Sequence, residues 1–93
     1  MSGLVLRVRL YVAGDAPNST SAVASLRSLL ALHPGKPAAV EIVDILLHPE
    51  RGLRDGVLVT PTLIKLAPRP ERRLIGNLKD MRVLVSVLGL EGP

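Results

Sequence analysis

Ninety-three residues that are 47% apolar can build one core and not two, so a single domain over residues 1–93 is expected; with no Phe, no Trp and one Tyr, its interior must come from Leu, Val, Ile and Ala. The absence of cysteine excludes disulfides, thiolate nucleophiles, iron–sulfur clusters and cysteine-type zinc sites together. A net charge of +4, with acidic residues interspersed among the basic ones and no aromatic stacking platforms, points to a solvated basic face or an acidic protein partner and away from nucleic acid.

Apolar residues recur at Leu4, Leu6, Val8, Leu10 and Val12 with Arg7 and Arg9 between them, the period of two that predicts a strand. The same interruptions rule out the continuous apolar run of a secretory leader, and no segment approaches the roughly 20 apolar residues of a membrane span, so a cytoplasmic protein without membrane association is expected. Ala13 to Pro17 breaks the strand, and Asn18 or Ser19 is the expected cap of a helix whose apolar face runs Val23, Leu26, Leu29 and Leu30. His33-Pro34-Gly35 ends that helix. A second strand is predicted from Val40 to Leu46, where Val40, Ile42, Val43 and Ile45 place apolar groups on both faces, as a strand covered by helices on either side requires. Strand, helix and strand at this spacing make a βαβ unit with a right-handed crossover and parallel strands.

His48 to Gly56 is polar, with Pro49 suited to a first helical position and Leu53 the expected apolar anchor of a short helix. Thr62 to Leu66 and Arg72 to Ile75 read as strands around Pro68-Arg69-Pro70, too close together for anything but an antiparallel hairpin. Asp80 to Leu88 is predicted as a closing helix capped near Gly89. The resulting order βαβαββα is an α/β arrangement, that of the thioredoxin fold, an analogy that does not by itself license a function.

In that fold the reactive dithiol sits between the first strand and the first helix, where this chain has Gly14-Asp15-Ala16-Pro17-Asn18-Ser19. Without a thiolate there is no nucleophile for disulfide exchange, so an oxidoreductase is excluded on chemistry. His33 and His48 each precede a proline at an element end, with no nucleophilic serine placed beside them, and read as loop residues. No metal-ligand spacing, phosphate loop or dinucleotide fingerprint occurs, so no catalytic residue, metal or cofactor is expected. Pro61, in Thr60-Pro61-Thr62-Leu63, removes a ladder donor where a strand begins; it is either the cis proline that thioredoxin-like proteins carry at this place or a trans proline opening an edge strand.

Tyr11-Val12-Ala13-Gly14, Pro17-Asn18-Ser19, Val43-Asp44-Ile45, Thr60-Pro61-Thr62-Leu63 and Arg72 through Ile75-Gly76-Asn77-Leu78 occur in order between about Leu6 and Leu88, and together they resemble the circadian clock KaiB family. The resemblance implies a non-enzymatic clock component that binds the ring-shaped ATPase KaiC and alters its phosphorylation and output cycle, with a KaiA-like protein or a histidine kinase as further partners. It also implies a metamorphic protein, monomeric in a thioredoxin-like state and tetrameric in a ground state whose second half folds differently. Pro61, Pro68 and Pro70 are then the expected brake on the exchange. Val87 stands where the family often has Gly, which favours helix there, and the hairpin-plus-helix pattern favours the thioredoxin-like state. Glu41 replaces a basic residue usual on the second strand, and Asn77 stands where Asp is common. Arg9, Lys65, Arg72 and Arg73 are the expected contacts to an acidic partner surface. A sensor or stress-response interaction module, independent of a full oscillator, is the alternative reading.

Overall fold

The computed structural model describes residues 5–76 and 78–91. The first strand, β1, runs Leu6–Val12, and its alternation puts Leu6, Val8, Leu10 and Val12 on one buried face; Leu4, expected in this strand, and Asn77 lie outside the described residues. Helix α1, Pro17–Ala31, begins before the predicted caps. Proline at a first helical position lacks the N–H that a cap would satisfy and is already bent to helical φ, so the helix starts at Pro17 after the uncapping residue Ala16. Asn18 and Ser19 are therefore inside the first turn, and Ser19 Oγ instead accepts from the backbone N–H of Ala13 at 3.0 Å. Ala22, Leu26 and Leu29 are buried, flanked by partly buried Val23 and Leu30, which is the predicted face.

Strand β2, Ala38–Asp44, lies parallel to β1 in the predicted βαβ order, two residues earlier than expected. Its sheet position corrects a second expectation: the order is β2-β1-β3-β4, so β2 is an edge strand and is not sandwiched by helices. Val40 and Ile42 remain 41% and 38% exposed, and Val43 alone in the strand is buried. Helix α2, Pro49–Arg54, starts at the predicted proline, but Leu53 points to solvent at 81% exposure and does not anchor it. In a helix this short the residue meeting the sheet side is buried Gly52, where an added Cβ would lie 3.3 Å from Ile45 Cγ2.

Strands β3, Thr62–Ala67, and β4, Arg72–Ile75, form the predicted antiparallel hairpin, and β3 also pairs antiparallel with β1. Because β3 is an interior strand, Pro61 does not open an edge; it precedes the first ladder residue through a cis bond, and the bonds before Pro68 and Pro70 are also cis. Helix α3, Met81–Leu88, has the predicted termini: Asp80 Oδ1 accepts from the N–H groups of Arg82 and Val83 at 3.0 and 3.4 Å, and Gly89 closes the helix at φ +69°. Leu84, Val87 and Leu88 turn inward from it. α1 and α3 share the Leu6, Val8, Leu10 and Leu63 face of the sheet, while Tyr11, Val43 and Ile64 form a smaller cluster on the other face, joined by Ile45, Val57 and Leu66.

Candidate docking surface

The loop from β1 to α1 is held by oxygen ligands where a redox protein of this fold would place sulfur. Asp44 Oδ1 accepts from Gly14 N–H at 3.0 Å and from Leu46 N–H at 2.9 Å, tying the ends of β1 and β2 together. With Ser19 on Ala13 N–H, a hydroxyl and a carboxylate meet two of the loop's donors, and Ala16 N–H reaches the Ala13 carbonyl at 3.2 Å. Leu46, which packs beside Gly14, is largely exposed, as are Leu47 and Leu58. Among the described residues no three His, Cys, Asp or Glu side chains cluster as metal ligands would.

On the face opposite α1 and α3, a polar network fastens α2 to the sheet. The Tyr11 hydroxyl donates to Asp55 Oδ2 at 2.5 Å and lies 3.0 Å from the carbonyl oxygen of Arg51. Arg9 bridges two acids, with Nε 2.8 Å from Glu41 Oε1 and Nη1 2.9 Å from Asp55 Oδ2. Arg51 Nη1 completes the ring at 2.6 Å from Glu41 Oε2. Hydrogen bonds from Arg51 and then Arg9 pull the Glu41 carboxyl down to about 2. The Tyr11 hydrogen bond, reinforced by Arg9, lowers Asp55; burial, with the Asp55 bond and charge behind it, raises the Tyr11 phenol. Glu41 is thus the hub that pairs two arginines on separate elements, Arg9 on β1 and Arg51 on α2.

The four cations expected to meet a partner do not form one patch. Arg9 is committed to Glu41 and Asp55. In strand register it lies opposite Ile64, which lies opposite Arg73, so Arg73 shares its sheet face, and its charge contributes to lowering Asp55. Lys65 lies opposite Arg72 on the helix-bearing face; Lys65 is 5% exposed, while Arg72 and Arg73 are open to solvent. Pro61 stands before β3, Pro68 and Pro70 stand in the hairpin connection, and Val87 is buried in α3 at the edge of a groove shared with Arg72, Arg82 and Ser86. Sequence reasoning missed Tyr11, Glu41, Arg51 and Asp55 as one unit, because positions so far apart in sequence are joined only by the sheet. It also missed Arg82 and Ser86, whose face of α3 becomes meaningful only beside β4.

A KaiB domain family model matches residues 9–90. The circadian clock oscillator protein KaiB of Parasynechococcus marenigrum (strain WH8102) is 42% identical over 81 residues, covering 86% of this chain and 78% of that protein. The KaiB of Synechococcus elongatus (strain PCC 7942) is 40% identical over 81 residues, covering 86% and 79%. Among solved structures, the N-terminal domain of Synechococcus elongatus SasA superimposes with a TM-score of 0.78 at 23% identity, covering all of this chain (100%) and 91% of that one. The germline-specific thioredoxin Deadhead of Drosophila melanogaster gives 0.73 at 20% identity, covering 95% and 82%. The two structural likenesses establish the thioredoxin-like fold.

Proposed function

The chain belongs to the KaiB family, and we propose accordingly that it is a non-enzymatic, circadian-clock-type regulator that docks on a KaiC-like ATPase and modulates its phosphorylation and output cycle. Family membership supports the clock-regulator role as a whole. The observation that carries the docking mechanism is the β1–α1 loop: the position that holds a dithiol in redox proteins of this fold is occupied here by Gly14, Asp15 and Ser19, with Gly14 N–H bonded to Asp44 and Ser19 Oγ to Ala13 N–H. A framework left without its reactive group retains its surface as the means of action.

Arg9 is occupied internally and Arg73 shares its sheet face, so the contact to an acidic partner surface falls to Lys65 and Arg72 on the other face, supported by the excess of positive charge. The chain acts as a monomer in the conformation described. Pro61, Pro68, Pro70 and Val87 bound the segments whose rearrangement would give an alternative tetrameric state, and a population of that state would weaken apparent affinity in proportion. No helix among the described residues is long and apolar enough to cross a membrane, in keeping with action in the cytoplasm beside the ATPase.

Size-exclusion chromatography of the chain with a KaiC-like ATPase ring and ATP tests the reading. Co-elution, together with a changed rate of loss of phosphate from the ATPase, is expected. Separate elution after hours of incubation would overturn it, and binding to a histidine kinase in its place would favour the sensor reading.

A further inference from the structure

We propose that the groove between β4 and α3 binds a carboxylate-bearing, extended segment of a protein partner. The inference rests on the reading that this chain works by docking to proteins. It assigns a particular groove and the chemistry that the groove selects.

The outer flank of β4 is unpaired in the sheet, since β3 occupies its other side. Where α3 packs beside it, a groove of about 400 Å³ opens, lined by Arg72, Asp80, Arg82, Val83, Ser86 and Val87. Its charge is unbalanced. Arg72 and Arg82 are exposed cations, and Lys65, directly opposite Arg72 in strand register, is 5% exposed. No ion pair or hydrogen bond joins the Lys65 ammonium to any described residue. Like charges directly opposite each other on neighbouring strands repel, so Lys65 beside Arg72 is an arrangement that favours an incoming anion. The one acid on the groove, Asp80, caps α3 through Oδ1 and stands 4.0 Å from Arg82 Nε, so a single carboxylate faces Arg72 and Arg82 and the groove keeps a net positive charge.

The shape favours a peptide over a free ion. Val83 and Val87 give the groove an apolar wall, Ser86 offers a hydroxyl, and the free N–H and C=O groups of β4 can pair with an extended backbone. Alternate side chains of such a strand face the groove, which is where carboxylates would meet Arg72 and Arg82. A second copy of this chain is a poor occupant, because pairing two β4 edges would bring Arg72 and Arg73 of both copies together.

The test is a titration of the full-length, 15N-labelled chain with a short synthetic peptide of alternating Glu and Val, followed by amide chemical shifts and by anisotropy of the dye-labelled peptide. Saturable shifts centred on residues 72–75 and 82–87 are expected. The Arg72→Gln/Arg82→Gln double variant, whose replaced side chains are exposed and whose spectrum reports its fold, is expected to bind about tenfold more weakly, as loss of two charge-assisted contacts implies. Lys65→Met, which keeps the buried stem, should weaken peptide binding while raising the urea midpoint. Absent shifts, shifts centred on the free edge of Ala38–Asp44, or equal binding by a single-stranded oligonucleotide would each overturn the assignment. If the ATPase still co-elutes with the chain in that event, the groove is wrong and the broader docking reading stands.

Discussion

Glu41 shows how much a single side chain can hold on this surface. It receives Arg9 from β1 and Arg51 from α2, and its carboxyl is held at about 2, below the unperturbed 4.5. A group whose folded value is depressed stabilises fully at pH above its unfolded value and loses that contribution as pH falls toward the folded one. The network is therefore intact at neutral pH and weakens between about pH 5 and pH 2, with Asp55 moving in the same direction. Glu41→Gln should lower stability at pH 7 by about 0.2–1 kcal/mol, since the pair is partly open to solvent. Urea unfolding at pH 7 and pH 3 checks this: the wild-type chain should lose more stability on acidification than the variant does. At this scale the sequence was a partial guide. Arg9 could be seen to alternate with apolar residues and hence to lie on the opposite face, but its pairing with Asp55, 46 positions later, depends on α2 folding back over β1. No local pattern encodes that.

The elements differ in how they are secured, and substitutions should sort accordingly. Asp80→Ala removes the acceptor for two N–H groups of α3 and should cost about 1 kcal/mol. Leu84→Ala, at a fully buried position (0% exposed), should cost about 2–5 kcal/mol. Leu53→Ala on α2 should change stability by less than about 0.5 kcal/mol, because its side chain is in solvent. Thermal or urea unfolding of the three variants distinguishes them. β1, β4 and α3 were legible because a period of two, a hairpin-length spacing and an Asp-to-Gly bracket are local signals. The start of α1 was displaced because Pro17 itself sets the first turn, and the coverage of β2 was misjudged because apolar residues on both faces look alike in an interior strand and in a half-covered edge. Leu53 was mistaken for an anchor because the actual contact is made by Gly52, which has no side chain to advertise it.

Taken whole, the sheet order β2-β1-β3-β4 divides the molecule into two unlike surfaces. One face carries α1 and α3 over the larger core and leaves the Arg72–Arg82 groove at its margin; the other is closed partway by α2 and its ion-pair network. The βαβ start and hairpin end made the fold legible as a thioredoxin-like arrangement, and the five short motifs made the family legible. The separation of Arg9 and Arg73 from Lys65 and Arg72 was not, because face assignment in β3 and β4 depends on a register that the intervening prolines obscure. This division gives the docking account its sharpest consequence: a partner should engage one side of the sheet without altering the elements themselves. Hydrogen–deuterium exchange of the chain, free and with an excess of a KaiC-like ATPase ring, measures this directly. Protection confined to one contiguous part of the surface, with exchange in the β1 and β3 interior unchanged, is the predicted result; an exchange pattern identical with and without the ATPase would contradict the account.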